Sequence, residues 1–210
     1  MSSFIARLGP KRTSWATAMG GLQSLPALRS TPCATAMTVF QIEAGLPAYG
    51  PRALSFPDPI AFREGLVVTF STSKGERWIG NFAHGLGLLD AVRDELGPKA
   101  TIVVSHGAAY LVDIDCKTAS EITWPVEYID YAPGLRLLII GNGLWFEGIG
   151  ASGRAWQSRR ISWDGMRSLR WDGLKLRGEA YSPMGLPDWL PFELDVASGT
   201  VEGGSYNGPP

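Results

Sequence analysis

A small polar turn recurs four times along this chain, each time between a β-like run and a second aromatic or β-branched run. No other feature restricts the fold so strongly. The turns are Ser73-Lys74-Gly75, Cys116-Lys117-Thr118, Ser152-Gly153 and Ser198-Gly199. From Lys74 to Lys117 to Ser152 to Ser198 the steps are 43, 35 and 46 residues, near the roughly 40–50 residue period of propeller blades. Twelve runs of strand length surround them: Leu66–Ser71, Arg77–Phe82, Thr101–Ser105, Ala109–Ile114, Glu121–Val126, Arg136–Ile140, Leu144–Ile149, Arg154–Ser162, Ser168–Trp171, Leu174–Tyr181, Trp189–Val196 and Thr200–Gly203. Gly107, Gly134, Asn142-Gly143, Asp164-Gly165 and Asp172-Gly173 supply turns, because Gly, Asn and Asp accept the positive φ of tight hairpins.

With 26 Gly, 15 Pro and 8 Trp in 210 residues and only 19% charged residues, helices are disfavoured and short strands favoured. The expected fold class is all-β: antiparallel hairpin or meander repeats, as a truncated or small propeller-like arrangement, with a β-sandwich as the alternative. One segment departs from this. Gly87 to Leu96 places Leu88, Leu89, Val92 and Leu96 at helical spacing before Gly97-Pro98, which predicts a short helix.

The chain divides into three regions. Residues 1–43 form an irregular leader, disordered or an upstream extension of the true start: Met1 to Gln41 contains no Asp or Glu, while Arg7, Lys11, Arg12 and Arg29 are basic. This composition is also that of an organellar transit segment. Residues 44–65 form a connector, in which Pro47, Pro51, Pro57 and Pro59 remove backbone donors. Residues 66–206 form the β domain. No run approaches the roughly 20 apolar residues of a membrane-spanning helix. Cys33 and Cys116 suggest neither a disulfide framework nor a CxxC site, which fits a reducing, cytoplasmic setting.

Two phrases carry a resemblance. Tyr110-Leu-Val-Asp-Ile-Asp115 followed by Lys117-Thr118, and Phe192-Glu-Leu-Asp-Val-Ala-Ser-Gly199 followed by Thr200-Val201-Glu202, resemble the outer hairpins of quinoprotein-type β-propeller blades over about residues 66–206. The resemblance implies a propeller-like fold. The second copy lacks the Gly, the third replaces the Asp, and four units in about 140 residues are short for a closed ring of four-stranded blades. A truncated propeller, an open meander and a sandwich all stay open.

The densest unusual chemistry lies between Arg154 and Arg177. Arg154, Arg159, Arg160, Arg167, Arg170, Lys175 and Arg177 meet only Asp164 and Asp172, a local charge of +5, with Trp156, Trp163 and Trp171 interleaved. Guanidinium and indole groups together can hold an anionic or protein partner; stacking of Arg over Trp for stability is the competing reading. Strand alternation places Arg160 and Trp163 on opposite faces. Trp163-Asp164-Gly165 and Trp171-Asp172-Gly173, eight residues apart, read as successive hairpin turns. The binding residues expected are Arg154, Trp156, Arg159, Arg160, Trp163, Arg167, Arg170 and Trp171.

A net charge of −1 supplies no global field toward nucleic acid, so a protein partner is expected first and nucleic acid is a lesser option. No cofactor or metal is implied. Asp113, Asp115 and Cys116 read as turn residues rather than ligands. Ser105 and His106, as strand neighbours, face apart and form no catalytic pair, and no nucleophile elbow, HExxH helix or phosphate loop occurs. The main expectation is a non-enzymatic module. The alternative is a small hydrolase or metal-dependent enzyme using His84 or His106, the only histidines; a separation of more than about 10 Å with no cleft between them removes a shared site.

Overall fold

The computed structural model describes residues 40–60, 63–184 and 187–208. Its contacts divide the chain into Met1–Ala36 and Met37–Pro210, and every described residue belongs to the second unit. Of the expected leader, residues 1–39 lie outside the described residues, as does Cys33.

The described unit is all-β, with sixteen strands in four sheets of four, rather than the two sheets of a sandwich. Sheet 1 combines β1 (Phe40–Ile42), β3 (Leu66–Ser71), β4 (Arg77–Phe82) and β2 (Leu54–Phe56), the last pairing parallel with β4. Sheet 2 is the meander β5 (Ala91–Arg93), β6 (Ala100–Ser105), β7 (Ala108–Asp113) and β8 (Thr118–Thr123). Sheet 3 follows as β9 (Tyr128–Ala132), β10 (Leu137–Gly141), β11 (Phe146–Gly150) and β12 (Gly153–Gln157), and sheet 4 as β13 (Met166–Asp172), β14 (Lys175–Tyr181), β15 (Trp189–Asp195) and β16 (Val201–Gly203). Strands therefore begin upstream of position 66, with β1 at the end of the expected leader and β2 inside the Pro-rich connector. Among the described residues no helix is long and apolar enough to cross a membrane.

Period-two alternation gives each central strand two apolar faces, and three cores result. Val68, Phe70, Trp78 and Phe82 of sheet 1 meet Val103, Tyr110 and Val112 of sheet 2. The other face of sheet 2, with Ile102, Val104 and Ala109, meets Leu138, Ile140 and Ile149 of sheet 3. Ile139 and Phe146 then meet Leu176, Ala180, Phe192 and Leu194 of sheet 4. Each buried Phe or Ile contributes roughly 1.5–3 kcal/mol by leaving water. Trp78 Nε1–H donates to Ile114 O at 3.0 Å, so its indole nitrogen is satisfied inside the first core.

The outer face of sheet 4 is of another kind. Arg167 pairs with Glu179, Arg177 pairs with Asp172 and Glu193, and Lys175 also reaches Glu193. A charged face of this sort ends a stack in water. At the opposite end, the last residue of the expected leader and the connector lie over the outer face of sheet 1: Thr69 Oγ1–H donates to Glu43 at 2.7 Å, and Asn81 Nδ2 donates to Arg63 O at 3.1 Å.

The recurring turns align along one edge. Ser73 N–H and Oγ–H both donate to Asp115 at 2.8 Å, joining the first turn to the second. Thr118 to Ser120 and Ala151-Ser152 line one cleft, joining the second to the third, and Gly199 of the fourth lies beneath Trp156. Gly75, Gly153 and Gly199 take φ of 80°, 113° and 74°. In the copy without Gly, Lys117 takes φ 55°, and Asp113 accepts from Cys116 N–H at 2.8 Å to hold the turn.

The helix expected over Gly87–Leu96 is not formed. Ala91–Arg93 is strand β5 at the edge of sheet 2, with Ala91 packed into the second core and Val92 into the first. Residues on opposite sides of a sheet cannot share a helical stripe. So short a helix is marginal in water, and edge pairing with β6 satisfies its backbone instead. Trp163-Asp164-Gly165 is also not a hairpin: it lies in the link from β12 to β13, whereas Gly173-Leu174 does close a tight β13–β14 turn.

Candidate functional site

The eight residues expected to form one Arg/Trp face occupy four places. Arg154 on β12 pairs with Glu147 at 2.9 Å, a carboxylate only 4% exposed that also accepts from Thr123 Oγ1 and Trp145 Nε1. Trp156 packs into the core between sheets 3 and 4, over Gly148 and Gly199. Trp171 packs against the same core and donates its Nε1–H to Asp130 Oδ2 at 2.8 Å. Arg167 lies on the charged outer face of sheet 4, its guanidinium 4.1 Å from the Trp189 ring centre. Arg170, opposite Arg177 on that same outer face, is exposed and has no ion pair among the described residues.

Arg159, Arg160 and Trp163 do come together. Strand β12 ends at Gln157, so the alternation that placed Arg160 and Trp163 on opposite faces does not apply: the Arg160 guanidinium lies 5.8 Å from the Trp163 ring centre and 4.4 Å from that of Tyr206. Trp163 meets Tyr206 edge-on at 4.9 Å. Arg159 donates to the carbonyls of Arg160, Gly203 and Tyr206, fastening the segment after β16 beside this loop. Arg160 donates from Nε to Ser162 O at 2.9 Å and from Nη2 to Trp163 O at 2.8 Å. Beside them is a cavity of about 530 Å³, lined by Trp163, Ser182, Met184, Pro187, Leu190 and Ser205 among others. Ser182, Met184, Leu190, Ser205 and Tyr206 carry no sequence motif that marks them.

The two histidines converge as well, with ring centres 3.9 Å apart. His84 lies in the link after β4. His106 and Gly107 form the two-residue β6–β7 turn, with φ of 44° and 81°, the two positive values of a type I′ hairpin. Backbone bonds from Gly85 N–H to Ser105 O, Gly87 N–H to His106 O and Gly107 N–H to Leu89 O stitch the link to that turn. Gly85 is required at this approach, since a Cβ there would lie 2.7 Å from His106 O. Tyr110 O–H donates to Ala83 O at 3.0 Å, and burial pushes its phenol up to about 12, so it remains a donor at neutral pH.

Asp90, just before β5, completes the cluster. Its Oδ1 accepts from His106 N–H at 2.6 Å and lies 3.3 Å from His106 Nδ1. One ligand atom each from His84, Asp90 and His106 falls within 4.8 Å of the others. Ser105, next to His106 in sequence, pairs across with His84 Nδ1 at 2.8 Å. Neither Asp90 nor this cross-pairing was foreseen from the sequence. No family model matches the chain, and no curated protein matches it.

Proposed function

We propose that this protein is a non-enzymatic, propeller-like β-repeat module that binds a protein partner at the concavity beside Trp163. The observation that carries the reading is the combination at that rim: a 37% exposed indole, the Arg160 guanidinium against it, and apolar walls from Met184, Pro187 and Leu190. Large aromatics at the edge of a pocket with Arg beside them are the typical anchors of protein interfaces. Four consecutive four-stranded sheets support the scaffold half of the proposal. The positive charge of Arg159 and Arg160 favours a partner segment with an acidic residue next to an apolar one.

Arg159 is a poor choice for the test, because its bonds hold the segment after β16. Selection of peptides from a random display library on the intact chain, followed by Trp163→Ala, is cleaner. Enriched acidic and apolar peptides should lose about 2 kcal/mol, roughly thirtyfold in Kd, on removal of the indole. Enrichment of no peptide, or binding untouched by Trp163→Ala, removes this surface as the working face. The enzyme reading rests on His84 and His106, whose ring centres lie 3.9 Å apart.

A further inference from the structure

We infer that His84, Asp90 and His106 form a binding site for a divalent transition-metal ion of the zinc class. The donors are two imidazoles and one carboxylate, a set suited to Zn²⁺ and its neighbours, whereas Ca²⁺ and Mg²⁺ prefer sites built from oxygen. One ring nitrogen of each histidine and a carboxylate oxygen of Asp90 lie within 4.8 Å of one another. The 3.3 Å between His106 Nδ1 and Asp90 Oδ1 is already about the edge of a tetrahedron with bonds of roughly 2.0–2.1 Å. His84 and Asp90 are exposed, so a small swing of the His84 ring about its bond to Ser105 and of the Asp90 carboxylate closes the remaining distance.

The protonation pattern points the same way. The Ser105 hydroxyl has one proton, which it donates to Phe82 O at 3.0 Å. Towards His84 Nδ1, at 2.8 Å, Ser105 Oγ is therefore the acceptor, and Nδ1 carries the proton. That fixes the tautomer with the lone pair on Nε2, the free nitrogen. A histidine ligand oriented through a hydrogen bond from its other nitrogen is the usual arrangement around bound metals. Ser105 is fully buried, so this support is rigid. His106 Nδ1, in turn, is shielded from solvent and makes no hydrogen bond, a buried polar atom that an ion at this place would satisfy. The backbone stitching of the β4–β5 link to the His106-Gly107 turn holds the donors together before any ion arrives. Three protein donors leave one position of a tetrahedral ion to water.

The test is titration of the full chain with Co²⁺ and Zn²⁺, carrying Cys33→Ser and Cys116→Ser so that thiols do not compete. One equivalent of Co²⁺ should bind, with the visible absorption bands of a four-coordinate ion, and Zn²⁺ should displace it while Mg²⁺ should not. His84→Gln, Asp90→Asn and His106→Asn should each weaken binding at least about tenfold; Asn at 106 accepts the left-handed backbone. Ser105→Ala leaves all three donors in place and should weaken binding by roughly 10- to 100-fold, acting through the orientation of His84. His84 is exposed, so His84→Gln keeps the fold, which circular dichroism verifies. Absence of Co²⁺ binding by the folded chain, or affinity and stoichiometry unchanged in His84→Gln and His106→Asn, overturns the assignment.

Discussion

At the scale of single residues, identical side chains have been put to different uses by their surroundings. Arg154 neutralises a buried carboxylate, Arg159 fastens backbone, Arg160 stacks on aromatics and Arg170 reaches into water. Their consequences on removal differ accordingly. Arg154→Ala leaves Glu147 buried without its cation, and should lower unfolding free energy by about 3 kcal/mol, read from urea denaturation. Arg170→Ala should change it by less than about 0.5 kcal/mol. Equal effects from the two would contradict the role assigned to Glu147. Composition alone cannot separate these arginines, because what distinguishes them is a partner 7 residues away for Arg154 and 44 or 47 for Arg159. The histidine site shows the same limit. His84, Ser105 and His106 are each conspicuous beside glycine, yet Asp90 enters only because the β6–β7 turn folds back onto the link before β5.

Elements were legible where their causes are local. Asn142-Gly143 and Asp172-Gly173 mark hairpins through backbone preferences that need no knowledge of the rest of the chain, and β3 and β4 match their sequence limits at Leu66–Ser71 and Arg77–Phe82. Strands whose causes are distant were not. β2 has three residues and pairs parallel to a strand more than twenty positions later, and β5 carries a leucine spacing that mimics a helix until the two cores pull its side chains apart. The recurring turns also carry a pH dependence. Asp115 is held below the usual carboxylate range first by the N–H and hydroxyl of Ser73, then by Lys99; Asp195 is held below it by the N–H and hydroxyl of Ser198 and the N–H of Ala197. A depressed folded value means that each carboxylate stabilises the fold above the unfolded value, about 4, and that this contribution is lost as pH falls through the folded value. The urea midpoint should therefore drop on acidification below about pH 4, and drop less in the Asp115→Asn, Asp195→Asn double variant. Parallel curves for the two proteins would show that the turns are not responsible.

For the whole described unit, the decisive fact is that three cores join four sheets, each between sheets adjacent in sequence. Stability in such a series is a sum of unit terms and nearest-neighbour terms. Sheets 2 and 3 are packed on both faces, while sheet 4 is packed on one and solvated on the other. Native-state hydrogen exchange should therefore find β6, β7 and β10 slowest and β13 and β16 faster by a margin set by local opening; uniform protection across all four sheets would contradict a linear series. The order of the cores has a further consequence for how the chain reaches this state. A chain emerging from the ribosome can seal each core as soon as the later of its two sheets has been synthesised, with no contact held open for a distant segment.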